Sequence, residues 1–300
     1  MARYHLGWED EQGKPSDAGG KGVRAGLCLL ACEAVGGDWQ KAVPAAAAVE
    51  LVHSFSLVHD DIQDGDRERH HRPAVWTVWG QAQAINAGDA LLALARLALG
   101  GLGDPSLHAN CSRCLDEATL EMVEGQTLDL EYETRDDVSA EEYLAMSARK
   151  TGALFGCALQ LGAMVGGAGD EQAGEFGRLG RTLGIAFQVR DDVLGIWGDE
   201  AKTGKPAGAD LRRGKKSLPV VVALNGPRAE SLRPLLSAAD DAAVVELMGA
   251  MEGVGVPGEC RATGDRLARE ALDSLSSMEL RGTAGRELAE VVRFLLERDF

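Results

Sequence analysis

Leu51, Phe55, Val58 and Ile62 recur at spacings of four, three and four, the stripe that an α-helix buries along one face. On the same stretch His53, Ser56, Asp60 and Asp64, spaced three, four and four, form a second and polar stripe. Helical periodicity of this kind dominates the chain, and repeated period-2 runs of Val, Ile and Thr do not occur. The prolines at 15, 44, 73, 105, 206, 219, 227, 234 and 257 leave the stretch between Pro105 and Pro206 free of the strongest helix breaker. That stretch is rich in Ala, Leu, Glu, Gln and Arg, all strong helix formers. The pattern predicts an all-α protein with helices near 21–35, 41–64, 81–99, 105–134, 139–168, 170–197, 217–224, 228–251, 259–274 and 281–297, punctuated by Gly, Asp and Pro. Neither a solenoid repeat nor a low-complexity linker interrupts it, which predicts a single domain over residues 1–300.

Thr151–Gly169 carries no charge, but its several glycines, Gln160 and modest aliphatic content predict a buried core helix rather than a membrane span. Across all 300 residues the formal net charge is −16, which argues against a generic nucleic-acid binder and against electrostatic attachment to anionic lipid. The six cysteines are sparse. Cys111 and Cys114 form a lone CxxC without a second pair, which predicts reduced thiols in a reducing compartment. The polar N-terminus has no apolar stretch of the kind that directs export, so the expected location is cytoplasmic. Trp76 and Trp79, at helical spacing, are expected to pack.

Two helix ends carry the candidate chemistry. Asp60, Asp61 and Asp64 crowd the C-terminal end of one helix, where they repel one another and oppose the helix dipole. A second doublet, Asp191 and Asp192, shares a face with Gln188 in FQVRDDVLGIWGD. A solvated acidic helix end would explain one such doublet. Two of them suggest walls of hard carboxylate oxygens, suited to Mg²⁺ completed by water and phosphate. After the second doublet, Gly198–Ser217 holds Lys202, Lys205, Arg212, Arg213, Lys215 and Lys216 against Asp199, Glu200 and Asp210, a local charge of +3. A basic, glycine-rich loop beside an acidic metal site suits a polyanion. Gly19-Gly20-Lys21-Gly22-Val23-Arg24 adds glycines and cations at a helix N-terminus, a weaker anion signal.

Together these segments resemble a known family. HDDIQDGDRERHHRP, residues 59–73, is similar to the first aspartate-rich motif of the trans-isoprenyl diphosphate synthases, and residues 187–220 resemble that family's second aspartate-rich region and basic loop. GGKGVR at 19–24 resembles its first basic motif, and Lys150-Thr151 and Gly125-Gln126 with Asp129 fall in the family's order. The resemblance covers nearly the whole chain. It implies an isoprenoid synthase-type helical bundle around a central cavity, a homodimer, and Mg²⁺-dependent condensation of isopentenyl diphosphate with an allylic diphosphate. Asp60, Asp64 and Asp191 would ligate Mg²⁺, with Asp61 and Asp192 in support. Arg69, Lys150 and Lys205 would hold the allylic diphosphate. Lys21, Arg24 and His53 would hold isopentenyl diphosphate, and Lys215 would lie near the mouth of the site. His70, Thr151 and Gln188 complete the expected substrate-binding set.

The implied chemistry matches the residue types. An allylic C–O bond ionises, cations stabilise the departing diphosphate, and an apolar cavity keeps water from the carbocation. Phe55, five residues before Asp60, and the absence of an insertion between Asp61 and Asp64 resemble geranylgeranyl diphosphate producers. Some positions depart from the family pattern. His70 stands where a second arginine is usual, Gly195 where many members have a third aspartate, and Gly22 and Ala25 where Arg and Pro are common. An imidazole grips diphosphate less firmly than a guanidinium. Two other readings remain open at this point: a terpene cyclase on the same scaffold, and a regulatory subunit without catalysis.

Overall fold

In the computed structural model, the described residues are 1–198, 208–212, 214–238 and 241–297. The chain forms two compact units. One comprises Met1–Glu117, Cys157–Gly177 and Leu280–Leu288; the other comprises Ala118–Gly156, Arg178–Glu279 and Ala289–Phe300.

In the first unit, α1 (Ala2–His5) and α2 (Val23–Ala34) precede the long α3 (Trp39–Gln63). Asp38 caps α3 by accepting from Gln40 N at 3.0 Å. The predicted apolar stripe of α3 is inside at its centre and half-buried at its ends: Phe55 and Val58 are buried, Leu51 and Ile62 half-buried, with Val49 and Val52 buried on adjoining turns. A two-stranded hairpin, β1 (Glu68–Arg69) and β2 (Arg72–Pro73), and α4 (Val75–Trp79) lead to α5 (Gln81–Leu99). The helices α3 and α5 pack against each other, α5 presenting the buried small residues Ala84, Ala87, Gly88 and Ala95. A Cβ on Gly88 would overlap the His59 ring, so the ring keeps this position only with glycine there. By length and composition Trp39–Gln63 and Gln81–Leu102 could each cross a membrane; here they pack together as helices of this unit. The two tryptophans pack as expected: Trp79 meets Tyr4 edge-on at 4.9 Å, and Trp76 Nε1 donates to Asp66 O at 2.7 Å. All six cysteines are free thiols.

α6 (Pro105–Glu133) is followed by α7 (Ala140–Ser147), a π-helical turn at Ala148–Gly152, and α8 (Ala153–Val165). The single helix expected over 139–168 is therefore interrupted by a widened turn at Lys150. Residues 151–159 are all buried, as the uncharged composition predicts. α9 (Asp170–Trp197) carries the second acidic doublet. In the second unit, α9 packs closely on residues 152–156 through facing glycines. A Cβ on Gly184 would come within 2.8 Å of Gly152 Cα, and one on Gly180 within 2.8 Å of Gly156 Cα.

The remaining helices are α10 (Ala209–Arg212), α11 (Leu218–Asn225), α12 (Ala229–Ala238), α13 (Asp241–Gly253), α14 (Val256–Ser277) and α15 (Gly282–Glu297). The helix expected over 228–251 is thus two helices. The hairpin and the short α1, α4 and α10 carry too few residues for a periodic signal and were not expected.

Candidate active site

The three carboxylates at the end of α3 have different surroundings. Asp64 is exposed and Asp60 half-buried on the same helix face, with Asp64 N donating to Asp60 O at 2.8 Å. Asp61 turns inward, its side chain 1% exposed, and Oδ1 accepts from Arg69 Nε at 2.8 Å and Arg69 Nη2 at 2.5 Å. Its Oδ2 has no hydrogen-bond partner. Burial pushes the Asp61 carboxyl up to about 6 against the opposing pull of the Arg69 guanidinium. Arg69, expected on a diphosphate, is thus held by an internal carboxylate.

The hairpin that returns Arg69 to Asp61 turns through His70 and His71, both in the left-handed region with φ of 52° and 59°. Non-glycine residues are uncommon there, and such strain gathers at functional sites. Tyr4 and Arg72 brace the hairpin: Tyr4 Oη donates to Pro73 O at 2.8 Å, and Arg72 donates to Tyr4 O at 3.1 Å and Glu9 O at 2.9 Å. Gly20 of the basic motif lies beside His70, a Cβ there being 3.8 Å from His70 Nε2.

A cationic cluster results. Burial, then the charges of Arg24, His5, Arg69 and His70, hold His53 well below the ordinary histidine range. Burial, then Arg69, His70 and Arg72, bring His5 down to about 4. Both imidazoles are neutral at pH 7 in a field that favours an anion. His5 and Arg72 escape a reading of the sequence, since no motif precedes Gly19 and only the fold brings residues 3–9 to the hairpin. Lys21 is exposed just before α2. At the start of α2, Ala25 N donates to Glu50 Oε2 at 3.4 Å, so a side chain of the protein already meets one of the amides expected to face an anion.

In the second unit, Lys150 and Thr151 sit on the π turn between α7 and α8. Turns of this class recur at functional sites. Lys150 Nζ meets Asp129 Oδ2 at 2.5 Å, and Gly125 lets the turn approach, since a Cβ there would come within 2.6 Å of Lys150 Cα. Thr151 Oγ1 donates to Gln188 Oε1 at 2.9 Å, and Gln188 Nε2 donates to Asp192 Oδ1 at 2.9 Å. Asp192 is buried and also accepts from Tyr143 Oη and from Leu218 N. Burial raises its carboxyl above the usual range, opposed first by Lys215. Asp191 is half-buried beside it.

The described part of the basic loop folds back along the end of α9. Gly208 N donates to Ile196 O at 3.0 Å, and the Asp210 carboxylate occupies the space above Gly195, its Cγ 2.8 Å from where a Cβ would stand. A side chain at position 195 would therefore meet the Asp210 carboxylate, a proximity that sequence spacing did not indicate. Arg212 and Lys216 are paired, with Asp241 at 2.8 Å and Asp136 at 2.6 Å. Lys205, with Lys202 and Arg213, lies outside the described residues.

Among the described residues, no three His, Cys, Asp or Glu side chains converge in a ready-made metal cage. The chain offers hard carboxylate oxygens on adjacent helical turns, Asp60 with Asp64, and Asp191 near the end of α9. This donor set fits a divalent cation that keeps water and completes its shell with phosphate.

A family model described as Polyprenyl synthetase matches residues 14–251. The (2E,6E)-farnesyl diphosphate synthase of Mycobacterium bovis is 40% identical over 310 residues, covering 99% of this chain and 85% of the relative. A geranylgeranyl diphosphate synthase of Mycobacterium tuberculosis is 48% identical over 226 residues, covering 75% of this chain and 65% of the relative. The crystal structure of a polyprenyl synthetase from Streptomyces coelicolor A3(2) superposes with a TM-score of 0.91 at 42% identity, covering 98% of this chain and 90% of that one. With the motifs in family order on a matching helical scaffold, the chain belongs to the polyprenyl synthetase family of trans-prenyltransferases and has the all-α isoprenoid synthase fold.

Proposed function

We propose that this protein condenses isopentenyl diphosphate with an allylic diphosphate in the presence of Mg²⁺, and that its main product is geranylgeranyl diphosphate. The observation that carries this reading is that each of two helix ends keeps carboxylate toward solvent, Asp60 with Asp64 on one and Asp191 on the other, while the charges of Arg24 and Arg69 gather around His53 and His70. Asp60, Asp64 and Asp191 would hold Mg²⁺, which when bound neutralises the departing diphosphate. Lys150 would steady that diphosphate from the π turn, with Lys205 joining from the basic loop. Lys21, Arg24, His53 and His70 would bind isopentenyl diphosphate, and His5 stands among them.

The allylic C–O bond breaks with its electron pair leaving on diphosphate. The double bond of isopentenyl diphosphate attacks the cation, and the resulting cation passes a proton to the departed diphosphate, which restores a double bond. Buried apolar side chains such as Phe55 would exclude water from the cation and limit the growing tail. The retained Lys21, Arg24 and His53 favour elongation, because a cyclase needs no site for isopentenyl diphosphate.

We also read residues 1–300 as one catalytic domain that works as a cytoplasmic homodimer. In support of a dimer, α5 leaves Ile85, Leu94 and Leu97 exposed at 46%, 44% and 74%. Incubation with Mg²⁺, isopentenyl diphosphate and C5, C10, C15 or C20 primers tests the activity. The expected product is a C20 diphosphate, formed only when isopentenyl diphosphate is present; a hydrocarbon or alcohol released from a single long substrate would contradict it. Asp60→Ala and Asp191→Ala should each cut turnover by orders of magnitude with the helical circular dichroism intact. Turnover like that of the wild type in either would refute the metal assignment.

A further inference from the structure

We propose that Tyr143 is a positioning residue for prenyl transfer, acting through Asp192 to fix the stretch of chain that carries Lys215 and Lys216. The inference rests on the reading of the site given above. Asp192 adjoins Asp191 but is buried where Asp191 is half-buried. It is 1% exposed, and both of its oxygens are engaged by protein donors: Oδ1 by Gln188 Nε2, and Oδ2 by Tyr143 Oη and Leu218 N. Leu218 is the first residue of α11, so its amide is one that the helix cannot satisfy internally.

Ser217, the preceding residue, is of the type that ordinarily caps a helix start, yet its buried hydroxyl makes no hydrogen bond. A carboxylate from α9 caps α11 instead. Such a cap ties the end of the basic loop to the acidic helix. One further tie runs alongside, from Gly208 N to Ile196 O, while the Asp210 carboxylate lies close over Gly195 and Lys215 N donates to Asp210 O at 3.1 Å.

Tyr143 closes the arrangement from α7. Its hydroxyl reaches Asp192, while α7 runs on into the π turn, where Thr151 donates to Gln188 and Gln188 donates to Asp192. The turn that carries Lys150 and the stretch that carries Lys215 are therefore held to one buried carboxylate. Tyr143→Phe removes a single oxygen and leaves the ring in the core. Asp192 Oδ2 then keeps the Leu218 amide alone, and the cap loosens.

The test compares wild type, Tyr143→Phe and Asp192→Asn, full length, by steady-state kinetics and limited trypsin digestion. In Tyr143→Phe the KM for a C15 allylic diphosphate should rise about tenfold, with kcat and the KM for isopentenyl diphosphate within about threefold of wild type. Tryptic cleavage after Lys215 and Lys216 should accelerate by a similar factor while cleavage elsewhere keeps its rate. Asp192→Asn should move the same quantities in the same direction. A uniform rise at every tryptic site, or a fall in kcat with both KM values unchanged, would show a merely structural role and overturn the proposal. So would Asp192→Asn raising the Mg²⁺ requirement as Asp191→Asn does, which would make Asp192 a ligand. Should the wild type transfer no prenyl group, the functional reading fails, and the site-resolved digestion still judges the Tyr143 tie.

Discussion

Asp60 and Asp61 are neighbours in sequence with opposite surroundings. The helix turns one carboxylate to an accessible face and the other into the protein against Arg69. Arg69→Ala would leave Asp61 buried without its partner, and breaking such a pair costs about 3–5 kcal/mol. Chemical denaturation at pH 8 should show that loss. It should narrow as pH falls from 8 toward about 6, because without the opposing pull of Arg69 the Asp61 carboxyl of the variant takes up its proton at a higher pH than that of the wild type. That the doublets are candidates for chemistry was legible in the sequence, since repelling carboxylates at helix ends call for a counter-charge. Which member of each doublet turns inward was not. The partners are eight residues away for Asp61, and forty-nine and twenty-six away for Asp192.

Elements too short to carry a period position much of the site. The long helices follow the spacing of their apolar residues, and their ends fall within a few residues of expectation. The hairpin escaped because a two-residue turn usually advertises itself with Asn-Gly or Asp-Gly, and here it is built from His70 and His71. Replacing His70-His71 with Asn-Gly should relieve strain and raise stability by about 1–2 kcal/mol. It should also raise the KM for isopentenyl diphosphate severalfold, so thermal melts and kinetics will move in opposite senses. The π turn is equally hidden, because one extra residue in a turn does not disturb an apolar pattern. Its position depends on Gly125. Gly125→Ala sets a methyl group against the Lys150 backbone and should cost about 1–3 kcal/mol in denaturant melts, with a larger proportional loss of turnover.

For the molecule as a whole, a net charge of −16 coexists with a local cluster in which Arg24, Arg69 and Arg72 gather around the neutral imidazoles of His5 and His53, with His70 beside them. The total could exclude partners, but only the fold could gather those six from the N-terminus, two helices and a hairpin. The uncovered apolar side of α5 belongs to the same scale. If a second copy covers it, Leu97→Glu should convert dimer to monomer in sedimentation velocity, and an unchanged sedimentation coefficient would rule out that face as the interface.

The carboxylate above Gly195 arrives from fifteen residues downstream. A pattern written for consecutive positions therefore scores this helix as one acid short, although the folded chain has an acid in that place. A bulkier residue at 195 would displace that carboxylate, so the glycine and the distant aspartate constrain each other through space rather than through spacing.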